Sequence, residues 1–196
     1  MIHIDNSGLS KNTLIVGADD SNHCGDSKGE IIMVTFSWYN PDCVVKDYPN
    51  RRDYGAAYKW LEQGEEFRDY FFSVLAAERF RREGSNLLGT VPSIVAHYLS
   101  VCDLKKPETL KVYFDGRAEK RREDIKRIFS NTTGIENIYF DNFIKKHRSL
   151  ENGRIIKHPH CPSVVYFADV LANDFYANRS FEDLVGHRNL VSLITN

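Results

Sequence analysis

The sequence predicts an α/β fold: a mixed β-sheet, in which an antiparallel three-strand meander is joined to parallel strands, flanked by helices. Two observations carry this prediction. Two strand-like segments near the start of the chain are separated by too few residues for a crossover helix, so they pair antiparallel. Later in the chain, strand-like and helix-like segments alternate, which is typical of parallel strands joined by right-handed crossovers.

The first half of the chain predicts the meander. Residues 13–18 form a continuous apolar run rich in β-branched side chains, which is typical of a buried central strand. A turn-rich stretch leads to a second strand at 30–39, and residues 43–48 predict a third. Residues 54–83 then change to helical spacing, which Gly64 interrupts.

The second half of the chain predicts alternating helices and strands. In order, we expect a helix at 91–102, a strand at 111–115, a helix at 119–129 that ends near Gly134, a strand at 135–143, a helix at 164–176 and a last helix at 181–194. Pro92 stands near the first turn of the first helix, and Ser180 is the expected N-cap of the last. The length of 196 residues predicts a single domain spanning 1–196, with residues 1–11 as a loose N-terminal arm.

Composition narrows the class of protein. The formal net charge of −1 gives no overall basic field of the kind that attracts nucleic acid. The four cysteines contain no CxxC pair and are typical of reduced thiols in a cytoplasmic protein. No apolar run approaches the roughly 20 residues that span a membrane, so we expect no membrane contact.

Three apolar segments, far apart in sequence, each carry carboxylates. Asp19 and Asp20 follow the first strand, Asp115 ends the strand at 111–115, and Asp169 interrupts the apolar side of a helix. An ionised carboxylate is costly to bury without a partner, and acids that repel one another are most readily stabilised by a divalent cation. The sequence therefore predicts one shared Mg²⁺ or Mn²⁺ site built from these four residues.

Within the adjacent acidic pair, strand alternation allows only one side chain to face the shared site. We expect Asp19 to be the ligand and Asp20 to flank it. Each acid also has a structural alternative: Asp20 could begin an Asx-turn, Asp115 could cap a following helix, and Asp169 could pair with an Arg or Lys.

The order of elements and the positions of the acids resemble the ribonuclease H-like superfamily, and most nearly the type 2 ribonucleases H. The resemblance rests on the acidic first strand, on Val112-Tyr113-Phe114-Asp115 and on the late helix that carries Ala168-Asp169, and it covers most of residues 13–176. It implies that Asp19, Asp115 and Asp169 are catalytic and bind divalent metal. It also implies that the partner is a nucleic acid, RNA or an RNA–DNA hybrid.

One motif departs from that family. Type 2 enzymes usually begin with Asp-Glu-Ala-Gly-Arg-Gly, whose glycine- and arginine-bearing loop grips the RNA–DNA junction. This chain instead reads Asp19-Asp20-Ser21-Asn22-His23-Cys24-Gly25. The resemblance therefore favours the fold and the metal site more strongly than activity on a hybrid.

Two functions follow from these observations. The first is a metal-dependent phosphodiester hydrolase, nuclease-like, in which water is the nucleophile. The alternative is a catalytically degenerate binding or scaffold protein of ribonuclease H fold. A phosphorelay receiver is disfavoured, because a strand and not a helix follows the acidic strand. Further candidates for the site stay open: a fourth carboxylate, and the histidines of a short proline-flanked segment (Asp141, Glu62, Glu65, Glu66, Glu78, His158 and His160).

Overall fold

A computed structural model describes residues 12–21, 29–38, 69–75, 87–101, 106–115, 122–143, 149–151, 154–156 and 163–192. Its main element is a five-stranded sheet formed by β1 (Thr13–Ser21), β2 (Glu30–Trp38), β3 (Asp69–Leu75), β4 (Thr109–Asp115) and β5 (Asn137–Phe143). The strand order across the sheet is β3-β2-β1-β4-β5. β2 pairs antiparallel with both β1 and β3, whereas β4 pairs parallel with both β1 and β5. The predicted class of fold, a mixed α/β sheet with an antiparallel meander and parallel strands flanked by helices, is therefore confirmed.

Helices cover both faces of this sheet. They are α1 (Leu87–Val101), α2 (Arg122–Thr133), α3 (Ser163–Asn178) and the short α4 (Phe181–Val185). The strands β6 (Ser149–Glu151) and β7 (Arg154–Ile156) form a separate two-stranded hairpin. No helix in the described ranges is long and apolar enough to cross a membrane.

Side chains of β1 alternate between two buried layers. Leu14, Val16 and Ala18 enter one hydrophobic cluster together with buried residues of α1 and α2. Ile15 lies on the other face and packs with Val164, near the start of α3. A central strand that is covered on both faces needs apolar residues in succession, which explains the continuous apolar run in the sequence.

α3 begins directly against the middle of β1. A Cβ built on Gly17 would lie 2.6 Å from Cβ of Val164, and closer still to the carbonyl carbon of Val164. Thr35, the neighbour of Gly17 on β2, donates a hydrogen bond from Oγ1 to the carbonyl oxygen of Val164 at 2.6 Å. The absent side chain at position 17 and this buried hydrogen bond together fix where the helix starts.

The strand that pairs with the outer side of β2 comes from a segment that the sequence predicts to be helical. The prediction of a helix at 54–83 is wrong over Asp69–Leu75, because these residues form β3. Phe71 and Phe72 are both buried, one in each layer, so this strand lacks the strict polar–apolar alternation that identifies a half-exposed strand. The strand expected at 43–48 lies outside the described residues.

The helix predicted at 181–194 is also wrong beyond Val185. Ser180 is its N-cap, as predicted, and forms a capping box with Asp183. After α4 the chain runs beside β3: Asn189 accepts a hydrogen bond from the backbone N–H of Phe72 at 3.1 Å, while the N–H of Val191 donates to the carbonyl of Phe72 at 2.8 Å. Edge strands expose unpaired backbone groups, and these hydrogen bonds satisfy part of that edge.

Smaller differences concern where the helices begin. α1 begins four residues before the predicted position, so Pro92 lies inside the helix and not in its first turn. α2 begins at Arg122 and ends at Thr133, just before Gly134, whose φ of 67° and N–H bond to the carbonyl of Ser130 terminate the helix.

His187 lies at the point where this C-terminal segment meets β3. Its ring contacts Phe72 and Phe175 in edge-to-face and tilted geometries, each at 5.4 Å between centroids. Nδ1 accepts a hydrogen bond from the backbone N–H of Asn189 at 3.1 Å, so this nitrogen carries no proton. The ring is therefore neutral, and Nε2 faces the hydroxyl of Tyr70 at 3.5 Å.

Burial lowers the pKa of His187 below its ordinary value of 6.5, and the nearby Arg179 and Arg188 lower it further. Burial also raises the pKa of Tyr70, partly offset by the same arginines. The folded protein thus binds a proton at His187 less readily than the unfolded chain does.

The close approach of Val164 to Gly17 leaves no room for a side chain at position 17. Gly17→Ala should lower the free energy of unfolding by at least roughly 1–3 kcal/mol, because the new methyl group must displace α3 from the sheet. Gly89→Ala is the matched control: this glycine is exposed on α1, and nothing lies within 4 Å of a Cβ built there. It should raise stability by about 0.5–1 kcal/mol. Chemical denaturation measures both, and a Gly17→Ala protein as stable as the wild type would contradict the packing described.

The lowered pKa of His187 makes the stability of the protein depend on pH. Because its pKa is lower in the folded state, its contribution to stability is fully present above pH 6.5 and is lost as the pH falls below that value. His187→Asn should lose less stability than the wild type between about pH 7 and 5, since an asparagine Oδ1 can replace Nδ1 as acceptor without titrating. Urea denaturation at a series of pH values tests this. Parallel pH profiles for the two proteins would argue against it.

Candidate functional site

The carboxyl ends of β1 and β4 meet at one edge of the sheet. The two strands are parallel neighbours, and their register pairs Ala18 with Phe114. Asp19 and Asp115 follow as the next residue on each strand. Adjacent strands lie about 4.8 Å apart, so this register brings the two backbone positions side by side. The side chain of Asp115 lies outside the described part of the chain.

Asp19 and Asp20 belong to opposite faces of the sheet. Asp19 is 6% exposed and lies two residues beyond Gly17, on the face covered by α3. Asp20 is partly buried and shares the face of Ala18, which is covered by α1 and α2. The backbone N–H of Asp20 donates to Oδ1 of Asp19 at 2.9 Å, which fixes the orientation of the buried carboxylate. The face covered by α3 therefore receives Asp19 and not Asp20.

Asp169 lies on the side of α3 that is directed toward β1 and β4. Val165, one helical turn earlier on the same side, packs with Ile15 of β1 and Tyr113 of β4. Residues four apart in a helix share a side, so Asp169 lies above the same pair of strands. Asp169 and Asp19 thus occupy one layer, between the sheet and α3.

The direction of α3 carries Asp169 toward the edge where β1 ends. The helix begins over Gly17, and Ala168 belongs to one hydrophobic cluster with Met33 of β2. Met33 is the register neighbour of Asp19. The helix therefore advances along β1 from the level of Gly17 to that of Asp19.

Asn173 holds the carboxylate of Asp169. Its Nδ2 donates to Oδ1 of Asp169 at 2.7 Å and to the backbone carbonyl of the same residue at 2.6 Å. The spacing of four residues in the sequence is the signal that identifies such a pair on a helix. Asn173 thus restrains the rotation of the Asp169 side chain.

Ser21 is a further polar residue of this layer. It lies two residues beyond Asp19 on the same face of β1, and its exposed fraction is 2%. Its Oγ has no hydrogen-bond partner within the part of the chain that the structure describes. No motif in the sequence distinguishes this serine from an ordinary turn residue.

These donors suit a hard divalent cation. The carboxylates of Asp19 and Asp169, the amide oxygen of Asn173 and the hydroxyl of Ser21 are oxygen ligands of the type that Mg²⁺ and Mn²⁺ prefer. A buried hydroxyl without a partner among the described residues, in the same layer as Asp19, fits a polar occupant better than an apolar one. Within the described ranges no three His, Cys, Asp or Glu side chains come together as a metal cluster.

The structure does not describe the side chains of the other candidates. Asp141 is paired in register with Tyr113, two residues before β4 ends, and its side chain is not among those described. The four glutamates and the two histidines named above lie outside the described residues.

Comparisons with known proteins give a coarse likeness of fold. No family model matches the chain, and no curated protein matches it. Among the solved structures that match is the crystal structure of ribonuclease H2 from Pyrococcus horikoshii OT3. The sequences are 12% identical, the match covers 92% of this chain and 82% of that one, and the TM-score is 0.48. At that identity and score, the likeness says nothing about individual residues.

Proposed function

We propose that this protein is a metal-dependent phosphodiester hydrolase that cleaves nucleic acid. Asp19, Asp115 and Asp169 would hold Mg²⁺ or Mn²⁺. The observation that supports this most directly is that Asp19, at the end of the central strand, and Asp169, on the helix packed against that strand, occupy one layer. RNA or an RNA–DNA hybrid is the class of substrate that we propose.

The electrostatics of this layer favour a cation. Asp19 is buried and Asp169 is partly buried in this layer, and repulsion between ionised carboxylates is stronger in such surroundings than in water. A divalent ion replaces the repulsion by attraction to both groups, and Asp115 would add a third negative ligand from the adjacent strand. We place Asp20 outside this ligand set because its side chain belongs to the opposite face.

Hydrogen bonds within the chain would hold the metal ligands in place. The N–H of Asp20 holds the carboxylate of Asp19, and Asn173 holds that of Asp169, so both ligands are preorganised before substrate arrives. A divalent cation in this position supplies Lewis acidity toward a phosphoryl oxygen and lowers the pKa of bound water. The sheet edge at which β1 and β4 end is where the scissile phosphate would lie.

A catalytically degenerate binding protein on the same fold is the second candidate. It is favoured by the departure after the acidic pair, where Ser21-Asn22-His23-Cys24-Gly25 replaces the loop typical of type 2 ribonucleases H. The placement of Asp20 on the far face also favours it, since one of the adjacent acids then takes no part in the site.

Nuclease assays with Mn²⁺ on RNA, on an RNA–DNA hybrid and on single-stranded DNA test the proposal. Asp19→Asn and Asp169→Asn should each lower the rate by roughly 100-fold or more, because loss of a direct ligand should cost at least as much as loss of a group that supports one. Calorimetric titration should show weaker Mn²⁺ binding by the same variants.

α3 offers a matched control for these variants. Asp174 is buried, and its Oδ1 accepts a hydrogen bond from Nδ2 of Asn178 at 2.7 Å, as Asp169 does from Asn173. Asp174→Asn should therefore leave cleavage and Mn²⁺ affinity unchanged. Cleavage that survives Asp19→Asn and Asp169→Asn would refute the mechanism. Mn²⁺ binding without cleavage of any substrate would favour the degenerate binding protein.

A further inference from the structure

The hydroxyl of Ser21 has an unusual environment. Ser21 is 2% exposed, and its Oγ has no hydrogen-bond partner within the described ranges of the chain. A buried hydroxyl without a partner destabilises a folded protein, and native structures contain few such groups. Ser73 shows the ordinary case: it is equally buried, and its Oγ donates to the carbonyl oxygen of Val191 at 3.0 Å.

Alternation along β1 places Ser21 on the same face as Gly17 and Asp19. The register neighbour of Ser21 on β2 is Ile31, which belongs to the hydrophobic cluster shared with α3. The hydroxyl thus lies in the layer that contains Asp19 and Asp169. Ser21 is two residues beyond Asp19, at the end of β1.

The spacing of Ser21 and Asp19 limits what the hydroxyl can contact. The Cα atoms of residues two apart in a strand are separated by about 6.7 Å, and Oγ of Ser21 makes no hydrogen bond to the carboxylate of Asp19. A hydrated divalent cation is large enough to link two side chains that are not in direct contact. Two cation–oxygen distances of about 2.1 Å and one hydrogen bond of about 2.8 Å span roughly 7 Å.

We propose that Ser21 is a positioning residue, whose hydroxyl forms a hydrogen bond with the hydration shell of the divalent cation held by Asp19 and Asp169. This inference rests on the proposed function and assigns one more residue to the same site.

The experiment compares Ser21→Ala and Ser73→Ala in the full chain. In EDTA, Ser21→Ala should be at least as stable as the wild type, because it removes a buried group without a partner. Ser73→Ala should be less stable, because it leaves the carbonyl of Val191 without its donor. In calorimetric titration with Mn²⁺, Ser21→Ala should raise the Kd about threefold to tenfold, the effect of one net hydrogen bond, while Ser73→Ala should leave the Kd unchanged.

The outcomes separate this inference from the proposed function. If Mn²⁺ binds the wild type, if Asp19→Asn abolishes binding and if Ser21→Ala leaves the Kd unchanged, the role of Ser21 is wrong and the metal site stands. A Ser21→Ala protein that is destabilised in EDTA as much as Ser73→Ala also overturns the role of Ser21, since the hydroxyl then has a structural partner. Absence of Mn²⁺ binding by the wild type overturns both proposals.

Discussion

The contact between Gly17 and Val164 determines how the rest of the structure is arranged. α3 starts against the central strand because position 17 has no side chain, and Thr35 of the adjacent strand holds the first turn by a buried hydrogen bond of 2.6 Å. A side chain at position 17 would lift the helix from the sheet. Asp169 would then no longer share a layer with Asp19, so the packing of the core and the geometry of the candidate site depend on one constraint.

Two aspartate–asparagine pairs on α3 form the same hydrogen bond but lie in different surroundings. Asp169 and Asp174 each accept a hydrogen bond from an asparagine four residues later, at the same distance of 2.7 Å. Asp169 is directed toward β1 and β4, where the carboxyl ends of two parallel strands meet. Asp174 lies further along the same helix, where its charge raises the pKa of Tyr70 on β3. The pair motif predicts a restrained carboxylate, and only the packing of the helix determines whether that carboxylate can take part in a metal site.

The site would also carry a cost in stability. Asp19 is 6% exposed, and the hydroxyl of Ser21 is buried without a partner among the described residues. Burial of such groups opposes folding, and the apolar layers on both faces of β1 offset it. The C-terminal segment adds backbone hydrogen bonds to β3, which lies at one side of the sheet, whereas β5 lies at the other. These hydrogen bonds stabilise the side of the sheet that is farthest from the candidate site.

The sequence by itself determined those features that depend on neighbouring residues. These are the buried strand at 13–18, the antiparallel pairing that follows from a short connection, the strand at 111–115, the N-cap at Ser180 and the alternation that separates Asp19 from Asp20. The grouping of Asp19, Asp115 and Asp169 as ligands of one metal stays a prediction. Only the tertiary structure decided that Asp69–Leu75 is a strand, that the chain after Val185 pairs with β3, and that Asn173 and Ser21 belong to the layer of the candidate site. The reason is physical: local spacing records which side chains share a face, whereas burial on both faces and pairing at an edge depend on residues far away in the chain.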